Sequence, residues 1–317
     1  MIWFTVRKLF GLLVTLLVAA AITFIILDLL PGDPARFILG INATPDAVAS
    51  LRAQLGLDAP PLERFFSWLR GMLTGDFGIS YTQREAVGAL IGGRLSVTLP
   101  LTLLAMILSA GIGLPLGILA ARRRGSLVDS GLMALAQLGV AMPNFWFGML
   151  LVMLFSVTLR WLPPGGFVPW GDNVFGALGS LVLPSFALAL PQAAILARVM
   201  RTALIDVQGS DYIRTARAKG LTMSEAVWRH GVRNAFLPVL TILGLQFAYL
   251  VAGTVIVENV FYLPGLGRLI FDAIAARDLV LVRAAVMILV VVVIGTMFLT
   301  ELAYGWVDPR LRARSSE

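Results

Sequence analysis

The sequence predicts an all-α membrane protein of about six spans, and three observations carry that reading. First, the 317 residues are 58% hydrophobic and only 14% charged, with a mean hydropathy of +0.88. A soluble domain is about 45–50% apolar and about 25% charged. Second, six apolar runs, near 9–30, 96–121, 132–159, 178–200, 236–257 and 281–307, are long enough to cross a bilayer. Third, the alternating segments of roughly ten residues that mark a membrane β-barrel are not visible. Backbone in hydrocarbon must satisfy its own hydrogen bonds, so each run is expected to be a helix. An ordinary soluble enzyme and a disordered chain are both excluded.

The elements follow in order. Arg7 and Lys8 precede an unbroken run from Leu9 to Leu27. That is longer than the roughly 7–15 residues of a signal-peptide core, so residues 1–30 are expected to hold a short N-tail and a retained first helix. Residues 31–95 form an external loop with short helices. Thr44-Pro45-Asp46 is a helix start, with a capping hydroxyl, a proline in the first turn and an acid at the positive end of the dipole. Gly56 suits its stop, a second short helix is expected over Leu62 to Met72, and Gly75-Asp76-Phe77-Gly78 is a turn. Residues 96–307 carry the other five spans, and 308–317 are a tail. Pro100, Pro115, Pro143, Pro184 and Pro191 lie in or beside spans, where membrane helices tolerate them as kinks. Pro264-Gly265-Leu266-Gly267 is an outer turn, and a short helix follows it, ending near Asp278.

Orientation follows the basic residues. With the N-terminus in the cytoplasm, 15 of the 25 Lys and Arg fall in cytoplasmic segments against seven of the 18 acids. The whole excess positive charge is then on one side. For any single arginine this topological signal is itself a sufficient reason to be there.

The cytoplasmic loop at 201–235 is the most informative stretch. Ser210-Asp211 starts a short helix, with Arg214, Arg217 and Lys219 toward its C-terminus, where cations suit the dipole. Gly220 stands where a left-handed C′ residue is needed. Thr222-Met223-Ser224-Glu225 has capping-box spacing and starts a second helix of about thirteen residues, before Pro238 marks the next membrane entry. A simple connector needs no such specification, whereas a docking element for another protein does.

Much chemistry is missing. The only lysines are Lys8 and Lys219, and neither follows a glycine, so the chain has no P-loop. There is no cysteine, and His230 is the single histidine. No HExxH helix or GxSxG turn occurs, which argues against an integral membrane enzyme. Proton- and sodium-driven carriers place ionisable groups near the midplane. Here Asp28 and Glu301 lie near span ends. Asn144, Gln192, Gln246 and Tyr249 are polar groups within spans, and each can line a translocation path or bond a neighbouring helix. An autonomous channel or secondary carrier is the competing class. The combination favours one subunit of a pump whose motor is a separate protein.

The loop Asp211-Tyr212-Ile213-Arg214-Thr215-Ala216-Arg217-Ala218-Lys219-Gly220-Leu221, with His230-Gly231-Val232-Arg233-Asn234-Ala235-Phe236-Leu237-Pro238, resembles the "EAA" loop of binding-protein-dependent ABC importer permeases. More narrowly, it resembles their dipeptide/oligopeptide/nickel branch. Leu30-Pro31-Gly32-Asp33-Pro34-Ala35, Leu55-Gly56-Leu57-Asp58, Gly75-Asp76-Phe77-Gly78, Val257-Glu258-Asn259-Val260-Phe261, Pro264-Gly265-Leu266-Gly267, Arg277-Asp278 and Asp308-Pro309-Arg310 extend the resemblance along the chain. The resemblance implies a multi-pass subunit of the bacterial cytoplasmic (inner) membrane with an ABC type I importer bundle and both termini cytoplasmic. It implies a second homologous permease, two cytoplasmic ATPase subunits that carry ATP and Mg, and an extracytoplasmic solute-binding protein, with no nucleic acid and no metal or catalytic site in this chain. The coupling set would be Asp211, Arg214, Ala216, Arg217, Lys219, Gly220 and Glu225. Ala216 and Gly220 match the last Ala and the Gly of the pattern, while Arg214 stands where the family has its Glu. Asp33, Asp76, Glu258 and Asp278 would face the binding protein. The implied cargo is a di- or oligopeptide, with a nickel chelate, glutathione or an oligosaccharide as alternatives.

Overall fold

A computed structural model of the chain describes residues 2–29, 33–40 and 43–307. The sequence motif at 30–32 and the tail at 308–317 lie outside the described residues. Among those described, every extended element is a helix. Helix α1 (Ile2–Asp28) is followed by the short helices α2 (Pro34–Leu39), α3 (Pro45–Gln54) and α4 (Pro61–Thr74). Then come α5 (Val87–Arg122), α6 (Leu127–Ala141), α7 (Asn144–Leu151) with a π-helical continuation over Val152–Thr158, and α8 (Val174–Gln208). Helices α9 (Asp211–Ala218) and α10 (Met223–Ala226), in the basic loop, lead through a π-helical turn at Val227–Gly231 into α11 (Val232–Val260). The outer α12 (Leu266–Ala275) and the last span α13 (Leu279–Val307) complete the chain.

Among the described residues, five helices are long and apolar enough to cross a membrane unbroken, and a bent helix pair makes a sixth if its two halves form one span. That pair corrects the expectation of one helix over 132–159. Pro143 forces Met142 into an extended conformation (φ −86°, ψ 129°), and α6 and α7 meet at 104°. Two boundaries also move. Helix α5 begins at Val87, ahead of the apolar run near 96–121 read from the sequence. The helix expected to stop before Pro238 runs on from Met223 to Val260, since a membrane helix tolerates an internal proline.

The core sits around α8, the most buried span, while α1 is the least buried. Helices α5 and α8 cross closely because Gly113 and Gly117 have no side chain: a Cβ at either would sit 2.5 Å from the carbonyl of Ala193 or Ala197. Small residues four apart permit this close backbone approach in membranes. The outer half of the bundle packs Val97, Leu101, Leu181, Leu188, Leu250 and Phe261 together, and the cytoplasmic half packs Leu196, Met200, Leu204, Val227 and Val239.

Candidate functional site

On the basic side of the bundle α9 projects as a separate short helix. Its inner face is small: Ile213 and Ala216 are buried against Ala226, Val207 and Leu221. Tyr212, Arg214, Arg217 and Lys219 are exposed on its other sides. The helix ends in a Schellman arrangement, with the Leu221 N–H donating to the Ala216 carbonyl at 3.3 Å and the Gly220 N–H to the Arg217 carbonyl at 2.9 Å. Gly220 has φ +96° and open space where a Cβ would be, so the backbone conformation alone requires glycine here. The next helix starts with a complete capping box. The Thr222 N–H donates to Glu225 Oε2 at 2.9 Å and the Glu225 N–H to Thr222 Oγ1 at 3.3 Å. Glu225 is therefore occupied in local capping, and Ala216 in packing. The solvent-facing part of the coupling set is Asp211, Arg214, Arg217 and Lys219. The Arg214–Asp211 pair at 3.3 Å is fully exposed and contributes little to stability.

Two contacts that spacing could not foretell brace this end. Arg201 on α8 makes a bidentate pair with Asp129 at the start of α6 (2.5 and 2.7 Å), and the Gly125 N–H donates to the same carboxylate at 2.9 Å. Arg122 donates to Ser224 Oγ at 3.4 Å, linking α5 to α10. In the sequence both arginines read only as topological charge.

The four polar groups within spans divide. Gln246 is buried, and its Nε2 donates to the Gln192 carbonyl at 2.8 Å, a tie between α11 and α8. The Oε1 atoms of Gln192 and Gln246 are buried without a donor among the described residues. Tyr249 is exposed. Asn144 is half-buried, with its amide beside Gly253 one turn along α11 from Tyr249. Farther out, between α7 and the end of α11, an apolar hollow of about 720 Å³ is lined by Met149, Val152, Met153, Asn259, Val260 and Tyr262.

The four acids expected to face a binding protein differ in exposure: Asp76 is exposed, Asp33 is half-buried, and two others are buried outright. Asp76 is exposed and its Oδ1 accepts from the Gly78 N–H at 3.1 Å. Asp33 caps α2 through the Ala35 N–H (3.0 Å) and pairs with Arg52 at 2.9 Å. Burial pushes the Asp33 carboxyl upward, but the hydrogen bonds from Arg52 and the Ala35 backbone, with the Arg52 charge, outweigh it and hold the group below its ordinary range. Glu258 and Asp278, by contrast, are wholly buried, which removes them from the external contact surface. Glu258 accepts from Thr98 Oγ1 at 2.6 Å and the Arg268 N–H at 3.1 Å, while Thr98 Oγ1 accepts from the Leu266 N–H at 2.8 Å. Glutamate and threonine together thus satisfy the first turn of α12. A Cβ on Gly265 would collide with that carboxylate. Asp278 accepts from Ser80 Oγ (2.6 Å), the Thr82 N–H (3.1 Å), Thr82 Oγ1 (2.9 Å) and the Leu281 N–H (3.2 Å), capping α13 and fastening the 80–82 loop to it.

An all-α bundle of five or six apolar spans, with a short helix projecting from its basic side, defines a multi-spanning membrane protein. Its residues 113–313 match the family described as binding-protein-dependent transport system inner membrane component, and residues 1–102 match that family's N-terminal region. The chain belongs to this family of bacterial inner-membrane, non-catalytic ABC importer permeases. It is 43% identical over 297 residues, 94% of this chain and 95% of the relative, to a "Putative peptide transport system permease protein" of Brucella abortus (strain 2308). It is 40% identical over 312 residues, 98% and 99% of the two chains, to the glutathione transport system permease protein GsiC of Salmonella choleraesuis. In fold it is similar to a chain of the MetNI methionine ABC transporter in an inward-facing conformation, with a TM-score of 0.58 and 18% identity over 69% of this chain and 96% of that one.

Proposed function

We propose that this permease carries di- or oligopeptides, pairs with a second homologous permease, and takes its driving force from two ATP- and Mg-binding subunits, one of which docks on α9. The observation that carries the reading is the build of α9: a capped, separately folded helix that spends its small residues on its own bundle and presents Tyr212, Arg214, Arg217 and Lys219 outward. ATP-driven closure of the motor subunits would move α9, and the bundle would exchange between inward- and outward-facing states. That requires the motor to bind the two states with different affinity. Asn144 and Tyr249 are the better candidates for the path, since Gln246 is taken up between helices. Asp76 is the better candidate among the acids for meeting a solute-binding protein. The peptide assignment is supported by the names of full-length relatives, one of which handles glutathione, itself a tripeptide.

The test has two arms. Tagged purification in mild detergent, with mass spectrometry and an ATPase assay, should recover a second permease and ATP-binding subunits. A chain recovered alone and inactive would reopen the channel or carrier reading. Uptake of a labelled dipeptide in cells lacking the chromosomal copy, competed by glutathione, nickel chelate or oligosaccharide, then identifies the cargo. Competition by the nickel chelate alone would overturn the peptide assignment.

A further inference from the structure

Helix α9 is not free to swing on its stalk. Only Gly209 and Ser210 separate it from α8. The Ser210 N–H and hydroxyl both donate to the Val207 carbonyl, at 3.0 and 2.6 Å. The Val207 side chain packs with Ile213 and Ala216 of α9, and it lies against Gly231, where a Cβ would stand 2.9 Å from it. The end of α8, α9 and the start of α10 therefore form one block. Displacing α9 displaces the end of α8.

Helix α6 is seamed to that end of α8, antiparallel to it. A Cβ on Gly139 would stand 3.4 Å from Ala194 Cβ, Arg198 Nη2 donates to Gln137 Oε1 at 2.7 Å, and Arg201 donates to both oxygens of Asp129 at 2.5 and 2.7 Å. The Asp129 side chain is 4% exposed and also accepts the Gly125 N–H, which ties in the turn between α5 and α6. Leu135 and Leu138 of α6 are 66% and 61% exposed, so these large apolar groups do not hold it to the bundle. At its far end α6 turns through 104° at Pro143 into α7, whose first residue is Asn144, beside Gly253 of α11. Helix α6 thus joins the motor-facing block to a candidate for the translocation path.

The chemistry of the Asp129–Arg201 contact points to register rather than to stability. A buried carboxylate gives up its hydration, and a buried ion pair is often no more stabilising than apolar residues of the same volume. What a bidentate pair supplies is geometry, since two parallel bonds fix the angle and the axial position of one helix on the other. Fixing register is also the best-attested use of buried charge pairs.

We propose that Arg201 and Asp129 are positioning residues for energy coupling: they make α6 travel with the motor-facing block, so that movement of α9 reaches Asn144. The inference rests on the docking of a motor subunit on α9. Arg198 and Gln137 hold the same register farther along the seam.

The test uses the assembled importer in proteoliposomes, with ATP hydrolysis and uptake of a labelled dipeptide measured together. Arg201→Lys keeps the charge but loses the planar fork that bridges both oxygens, and Asp129→Asn keeps the shape but loses the charge. Each should leave ATP hydrolysis within about twofold of wild type. Dipeptide moved per ATP should fall about threefold in the first and about tenfold in the second. The double variant should be no worse than Asp129→Asn, because both changes act through one contact. An unchanged yield per ATP overturns the proposal. So does a parallel loss of hydrolysis, uptake and thermal stability, which marks a structural brace. If no ATPase subunit assembles with the wild-type chain, the docking on α9 has failed and the proposal falls with it. A second measurement stands even if those variants fail to assemble. The chain has no cysteine, and Gly139→Cys with Ala194→Cys places two thiols within disulfide reach. Helices that travel together should transport equally well with this bridge oxidised or reduced. A bridge that halts uptake until reductant is added shows that α6 and α8 slide past each other and overturns the proposal, as does a pair that does not crosslink.

Discussion

The two ends of the molecule are stabilised by opposite means. At the cytoplasmic end, α9 and the start of α10 are shaped by bonds between residues three to five apart: Gly220 to Arg217, Leu221 to Ala216, Thr222 to Glu225. At the outer end, α12 and α13 are held by carboxylates whose partners stand 160 to 198 residues away, Glu258 on Thr98 and Asp278 on Ser80 and Thr82. The first construction leaves a helix that can be gripped and moved as a unit. The second welds distant segments into one rigid outer plate. The helix proposed to transmit motion is thus built locally, and the outer elements are held in register over long range.

The largest effect is expected where a weld is cut. Asp278→Ala removes an acceptor from four donors, of which Ser80 Oγ and the Leu281 N–H are buried. Each buried donor left unsatisfied costs about 1–3 kcal/mol, so a loss of about 3 kcal/mol is expected. A thermal melt of the detergent-purified complex by size-exclusion fluorescence should fall well below that of wild type. An unchanged melt would show that the outer plate does not depend on this carboxylate.

At the other end, Gly220→Pro should abolish uptake while leaving membrane abundance and the melt of the bundle near wild type. A left-handed φ of +96° is closed to proline, whose ring fixes φ near −65°, yet only the α9 terminus rests on this residue. Normal uptake would sink the docking assignment, and loss of the protein from the membrane would show that the loop is as integral as the outer plate. Thr222→Ala is milder. It removes one N-cap, worth about 1 kcal/mol locally, and should raise hydrogen exchange at residues 223–226 without changing exchange at α12.

The same contrast explains what could be read from the sequence. Caps carry their partners within a few residues, so Thr44, Gly220 and the Thr222–Glu225 box were legible, as were spans long enough to outvote every alternative. Pro143 was legible as a kink but not as a 104° break, because a kink angle depends on what α7 packs against. Glu258 and Asp278 were misplaced for a physical reason: an acid at the end of a span is equally at home on the surface or capping a helix from elsewhere. Only the position of Thr98 or Ser80 in space decides between these. Gln246 shows the same ambiguity for an amide, and Arg201 for a cation whose topological role hides its pairing with Asp129.

The smallest expected effect lies in the external lobe, where a local cap and a longer-range ion pair meet on one residue. Asp33 is held below its ordinary range despite burial, by Arg52 and the Ala35 N–H. A carboxyl whose folded pKa is depressed stabilises at pH values above its unfolded pKa, roughly 3.9, and loses that contribution as pH falls through the lower folded value. Between pH 7 and pH 5 the α2–α3 lobe should therefore be insensitive to acid, and below about pH 4 it should loosen. Hydrogen exchange at residues 35–39, corrected for the intrinsic pH dependence, should show protection falling across that lower window in wild type. Asp33→Asn should lack the transition and show weak protection throughout. Since Arg52 is shared with Asp58 at 3.0 Å and is exposed to solvent, salt should erase most of the difference between the two proteins. A transition that survives both the substitution and high salt would assign the acid response to the long-range welds, and the division between locally and distantly built ends would then fail in this lobe.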